Sequence, residues 1–208
     1  MGSWIAARVR DVLYALLVAL ITPGVWALFR LSVRGREHLR AGGILVTRHR
    51  SYWDIPVVCV AGGPTRRVMF LARRGLLRNP LFAPFVWGFA VVIDREAFGL
   101  GDFRRAVRAA GGARLLGIFP EGTTRPGARP KLGAVRFADR LGRPLIPVNL
   151  VPHGPYPPRY PLGFPRVEVR FGPPVTVAEL AATLPPELPR LERYQRLTDK
   201  LMERVDAA

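Results

Sequence analysis

Gly43-Ile44-Leu45-Val46-Thr47 is an unbroken β-prone run. The polar stretch Arg48-His49-Arg50-Ser51-Tyr52-Trp53-Asp54 follows it, and then a second apolar run, Ile55–Ala61 (IPVVCVA). A short apolar run bounded by turn residues suits a strand covered on both faces. The apolar residues after Asp54 suit a helix lying on that strand. Strand, turn and helix in this order open a β-α-β unit, and a chain of such units builds a parallel sheet with helices on its faces.

The alternation continues along the chain. Further strand candidates are Val68–Ala72, Ala90–Asp94, Leu115–Pro120, Pro144–Val151 and Val167–Gly172. Helical candidates lie at Asn79–Trp87, Asp102–Ala110 and Gly133–Leu141, each long enough for a crossover. Leucines and charges at helical spacing over Leu188–Val205 predict a C-terminal amphipathic helix on the core. Pro152–Pro165 (PHGPYPPRYPLGFP) holds too many prolines for a helix or central strand, and reads as an irregular loop over the sheet. The expected fold is an α/β layered domain over residues 35–208, with a mostly parallel central sheet flanked by helices. A length of 208 residues suits one such unit with a short appendage, here residues 1–34.

That appendage contains Val12–Phe29 (VLYALLVALITPGVWALF), 18 residues without a charge. The length is at the lower limit for crossing a bilayer core of about 30 Å. Pro23-Gly24 interrupts it, and an internal proline removes a helical hydrogen bond and clashes with the preceding turn. Two short helices meeting near Pro23 are therefore expected. Arg8 and Arg10 precede the run and Arg30, Arg34 and Arg36 follow it, a bias that keeps both ends on the cytoplasmic side. The expectation is a monotopic hairpin dipped into one leaflet at the cytoplasmic face. A cleaved signal peptide competes with it, but no A-x-A-like site follows.

Lys and Arg number 32 against 15 Asp and Glu, a formal charge of +17. Such a chain attracts polyanions: nucleic acid, an anionic membrane or phosphorylated substrates. Only Lys131 and Lys200 are lysines, so the charge is nearly all arginine, whose planar fork binds phosphate bidentately. An arginine-biased genome is the plain alternative. Nucleic acid is not the expected partner, because no helix-turn-helix, zinc-finger or RNP pattern appears and binding to it leaves the apolar N-terminal segment unexplained. The single cysteine, Cys59, rules out an internal disulfide and a cysteine-ligated metal cluster.

Two stretches carry chemistry. His49 and Asp54 are five positions apart, roughly 140° around a regular helix, so they converge only if His49 sits in the turn and Asp54 opens the helix. The carboxylate then accepts the Nδ1 proton and stabilises the imidazolium formed when Nε2 takes a proton from a substrate hydroxyl. The plain alternatives are a helix N-cap for Asp54 and a solvated loop residue for His49. The second stretch, Phe119-Pro120-Glu121-Gly122-Thr123-Thr124-Arg125, also closes an apolar strand and so shares the sheet edge of His49. Gly122 allows close backbone approach, Thr123 and Thr124 carry hydroxyls, and Arg125 carries a phosphate fork.

Four blocks in this order resemble the glycerolipid acyltransferase family: His49-x4-Asp54, Gly88–Arg95 (GFAVVIDR), Phe119–Thr123 (FPEGT) and Ile146-Pro147-Val148. They span roughly residues 40–150. Two positions depart from the family pattern: Arg48 replaces the usual asparagine before the histidine, and Thr124 replaces the usual arginine after FPEGT, with Arg125 one place later. Arg73, in Ala72-Arg73-Arg74, stands where family members usually carry lysine. The resemblance implies acyl transfer from acyl carrier protein or acyl-CoA, as co-substrate, to a hydroxyl of an anionic lysophospholipid, with neither cofactor nor metal. His49 would be the general base and Asp54 its orienting partner. Arg73, Arg95, Glu121, Gly122, Thr123 and Arg125 would position the acceptor phosphate, Glu121 by organising arginines through ion pairs. Base chemistry is indifferent to what carries the hydroxyl, so a glycolipid, carotenoid glycoside or amino lipid remains an alternative acceptor. A noncatalytic lipid-binding relative would be expected to have lost His49 or Asp54, and both are present.

Overall fold

The apolar runs form the strands expected of them: β2 (Gly43–Val46), β3 (Val68–Arg73), β4 (Ala90–Ile93), β5 (Leu115–Ile118), β6 (Leu145–His153) and β7 (Arg166–Phe171). The structure is a computed structural model that describes residues 2–73, 75, 86, 89–93, 100–111, 113–159, 161 and 163–208. An additional strand, β1 (Ser32–Arg34), places residues assigned by sequence to the N-terminal segment at the sheet edge. The order across the sheet is β1-β7-β6-β2-β5-β3-β4. Pairing is parallel apart from β6 with β7. The helices are α1 (Gly2–Phe29), α2 (Asp54–Gly62), α3 (Leu100–Gly111), α4 (Gly133–Leu141), α5 (Val177–Ala181) and α6 (Arg190–Ala207). The helix expected over Asn79–Trp87 falls almost wholly outside the described residues.

Alternation along the central strands divides the core in two. Leu45, Leu115, Ile146 and Val148 face α1 and α2, where they meet Tyr14, Val18, Phe29, Val57 and Val58. Ile44, Val46, Leu116, Ile118 and Leu145 face the other way, onto Ala134, Val135 and Phe137 of α4 and Leu197, Leu201 and Val205 of α6. With both faces covered, the strands read as continuous apolar runs rather than alternating ones. Gly117 in β5 is required by close approach: a Cβ there would lie 2.4 Å from the ring of Phe70 on β3.

The N-terminal segment corrects the hairpin expectation. Pro23 sits inside one continuous helix, α1. Interrupting a helix with proline costs about 3 kcal/mol. Val18 before Pro23, and Val25 and Phe29 after it, are all buried in one cluster against α2 and the sheet. At about 1.5–3 kcal/mol per fully buried apolar side chain, keeping them on one rod outweighs the proline penalty. The Thr22 hydroxyl also donates to Val18 O at 2.6 Å, one residue from the missing amide. The opposite face of α1 is apolar and exposed at Val12, Leu13, Leu16 and Leu20. Residues Ala7–Phe29 are long and apolar enough to cross a membrane.

Candidate active site

β2 and β5 are parallel neighbours, with Val46 opposite Ile118, so the residues that follow them emerge side by side at one sheet edge. From β2 the chain turns through His49 into α2. Asp54 is the first residue of that helix, yet its side chain does not cap it. The carboxylate reaches back instead, and its Oδ2 accepts hydrogen bonds from Arg50 N at 2.7 Å, Ser51 N at 2.9 Å and His49 Nδ1 at 3.0 Å. The N-cap alternative is thereby excluded. Asp54 is only 1% exposed, and a carboxylate so far from water persists only with a full set of donors. Ser51 shapes the turn: its carbonyl accepts from Asp54 N at 3.1 Å and its hydroxyl from Trp53 N at 3.2 Å.

Because Nδ1 is engaged by Asp54, Nε2 is the imidazole nitrogen left to meet a substrate. The ring stacks on Phe119 with centroids 4.1 Å apart. Such a pair can accept a proton from a hydroxyl and hold the resulting imidazolium beside a carboxylate.

After β5, Gly122 N donates to Phe119 O at 3.0 Å and closes a turn in which Gly122 adopts φ 69°, a left-handed conformation that glycine enters without a Cβ penalty. Its amide is therefore committed to the turn, and its contribution is shape. Lys131 N donates to Pro120 O at 3.0 Å and ties off the loop beyond. Thr123 Oγ1 accepts from Arg125 N at 3.3 Å, and the Arg125 side chain is exposed. Glu121 is buried and pairs with Arg48 at 3.3 Å. Its other oxygen, Oε2, is buried with no hydrogen-bond partner among the described residues. The ion pair expected of Glu121 thus goes to an arginine beside His49. Arg48 also grips Asp206 near the end of α6, with Nε to Oδ1 at 2.7 Å and Nη2 to Oδ2 at 2.6 Å. It ties the histidine turn to both the β5 turn and the C-terminal helix.

His49, Asp54, Glu121, Gly122, Thr123 and Arg125 are thus placed on two adjoining turns. Arg73 ends β3, which lies beside β5, so it reaches the same edge; only its backbone is described. Arg95 lies outside the described residues. Three features had no sequence signal: Arg48 as a tether, Phe119 as a platform, and Tyr156, whose hydroxyl donates to Asp54 Oδ1 at 2.5 Å from the proline-rich loop. Cys59 is fully buried in α2, and burial pushes its thiol up to about 12, unsuited to a nucleophile. No group of three or more His, Cys, Asp or Glu residues able to hold a metal occurs among the described residues.

Comparison with known proteins bears on the family and the fold. The family model described as Acyltransferase matches residues 30–151. The chain is 26% identical over 185 residues to the 1-acyl-sn-glycerol-3-phosphate acyltransferase of Bacillus subtilis (strain 168), covering 84% of this chain and 89% of that protein. The crystal structure of the 1-acyl-sn-glycerophosphate (LPA) acyltransferase PlsC from Thermotoga maritima superposes with a TM-score of 0.56, covering 94% of this chain and 96% of that one. At 18% identity that likeness concerns the fold. Since the family model takes in more than half of the chain, His49, Asp54 and the FPEGT turn included, the protein belongs to the acyltransferase family and is an acyl-transferring enzyme.

Proposed function

We propose that the protein transfers a fatty acyl group from acyl carrier protein or acyl-CoA to the sn-2 hydroxyl of 1-acylglycerol-3-phosphate, giving phosphatidic acid, at the cytoplasmic face of the membrane. The observation that carries this reading is the 3.0 Å contact between His49 Nδ1 and Asp54 Oδ2 beside the FPEGT turn. The acceptor named for the Bacillus subtilis relative supports the choice of substrate.

His49 Nε2 removes the hydroxyl proton as the oxygen attacks the thioester carbonyl. The tetrahedral intermediate then collapses, the C–S bond breaks, and the imidazolium returns the proton to the departing thiolate. Asp54 holds the ring and balances its charge throughout. No acyl group is attached to the protein. Arg125, the Thr123 hydroxyl and the arginines Arg73 and Arg95 contribute charge and donors for the acceptor phosphate. The turn set by Gly122 presents Thr123 and Arg125, and Glu121 steadies that turn through Arg48.

The exposed face of α1 at Val12, Leu13, Leu16 and Leu20 supports a helix lying in the plane of one leaflet, since its inner face is occupied by the domain. The deciding experiment incubates the purified full-length protein with acyl-CoA or acyl carrier protein thioesters and a panel of acceptors. Mass spectrometry should show phosphatidic acid from lysophosphatidic acid and little product from monoacylglycerol. Transfer to a glycolipid or amino lipid with none to lysophosphatidic acid would contradict the assigned acceptor.

A further inference from the structure

Tyr156 stands 102 residues from Asp54 in sequence, yet its hydroxyl donates to Asp54 Oδ1 at 2.5 Å. The two carboxylate oxygens therefore have separate partners. Oδ2 serves His49 and the backbone amides of Arg50 and Ser51, whereas Oδ1 has the phenol. With Asp54 1% exposed, removing the phenol would leave Oδ1 a buried acceptor without its donor. Rotation about the Cβ–Cγ bond of aspartate is soft. An unanchored carboxylate would turn to satisfy both oxygens from the remaining donors, and Oδ2 would leave the line of His49 Nδ1.

We infer that Tyr156 is a positioning residue for acyl transfer, its phenol fixing the plane of the Asp54 carboxylate so that Oδ2 stays on His49 Nδ1. This inference rests on the reading of His49 as general base. The loop that brings the phenol is itself seated: Phe164 meets Phe29 of α1 at 5.3 Å and Trp53 at 5.7 Å, edge to face. Burial, followed by the charge of Asp54, holds the phenol above the ordinary tyrosine range, so it remains a donor. Arg50 anchors the same region from the other side, its Nη2 donating to Leu150 O on β6 at 2.5 Å.

The test is Tyr156→Phe, which keeps the ring and removes the hydroxyl. A lost hydrogen bond to a charged group predicts a fall in kcat of about tenfold to a hundredfold, with KM for both substrates unchanged. In an Asp54→Asn background the same change should have little further effect, because the positioning inferred for the phenol runs through the carboxylate. A readout independent of catalysis comes from nitrogen-labelled histidine in a chain with three histidines. The Nδ1 proton resonance of His49, assigned with His49→Ala, should move in Tyr156→Phe while His38 and His153 stay in place. Wild-type kcat together with an unmoved His49 resonance would overturn the inference, and so would a full second loss in the Asp54→Asn background. Should the protein prove inactive on every acceptor, the general-base reading fails and the resonance still decides whether Tyr156 positions His49. Should Tyr156→Phe not fold, the tyrosine Raman doublet of the wild type decides: a strong-donor signature that disappears in Asp54→Asn supports the contact, and identical spectra overturn it.

Discussion

The ring of Phe119 lies on the imidazole of His49, with centroids 4.1 Å apart and planes 25° from parallel, and it also stacks on Phe70 at 5.6 Å. Phe70 in turn occupies the space left by the absent side chain of Gly117. A column of rings thus runs from the middle of β5 to the proposed base. The FPEGT turn serves the histidine through its phenylalanine as well as presenting polar groups.

Gly117→Ala should disturb that column. The added methyl meets Phe70 ring carbons at 2.4–2.5 Å, so the ring must move. Overpacking of this kind costs about 1–3 kcal/mol, and the displaced rings should lower kcat with KM retained. Thermal unfolding and steady-state kinetics on one preparation check both. A variant with wild-type stability and turnover would show that the rings do not position His49.

The Arg48–Asp206 pair has a predictable pH dependence. Hydrogen bonding to the Arg48 guanidinium holds the Asp206 carboxyl below the usual carboxylate range. A carboxyl lowered on folding stabilises the protein above its unfolded pKa and loses that contribution as pH falls through the folded value. The Asp206 side chain is 51% exposed, so solvent screening limits the pair to about 0.2–1 kcal/mol. Wild type should exceed Asp206→Asn in unfolding free energy at neutral pH, and the gap should close on acidification below about pH 4. Urea titrations at several pH values provide the measurement.

Strands β2, β3, β5, β6 and β7 and helices α2, α4 and α6 were legible because burial on both sheet faces writes apolar runs into the sequence. The continuity of α1 was not, since local chemistry at Pro23 argues for a break and only tertiary burial of Val18, Val25 and Phe29 decides otherwise. β1 spans three residues and depends on pairing with β7, which leaves no local pattern. His49 and Asp54 were legible because they share one turn. Tyr156 was not, because a proline-rich loop has no periodicity from which to read what it touches.

Membrane binding should follow the outer face of α1. Leu16 and Leu20 are 63% and 78% exposed, so charging them leaves the core intact. Leu16→Glu with Leu20→Glu should release the protein from anionic vesicles with little change in melting temperature, and residual binding should vanish at about 0.5 M salt through screening. Vesicle flotation measures it. Full retention of binding by the double variant at high salt would contradict the in-plane helix.

Arg125 tests the phosphate contact. If it holds the acceptor phosphate, Arg125→Ala removes a charge-assisted interaction of about 1.5–3 kcal/mol, raising acceptor KM about tenfold to a hundredfold. Donor KM should stay constant. Lysine at this position restores charge without the bidentate fork, so partial rescue is expected. Initial rates with lysophosphatidic acid and with monoacylglycerol check the assignment, since only the phosphorylated acceptor should respond.

The general base can be tested with two substitutions at the 3.0 Å contact between His49 and Asp54. Single-turnover transfer to lysophosphatidic acid by folded His49→Ala should be undetectable, and Asp54→Asn should slow the step by about 10²–10⁴-fold, the span of general acid–base catalysis. A folded His49→Ala protein that forms phosphatidic acid at close to the wild-type rate would contradict the mechanism.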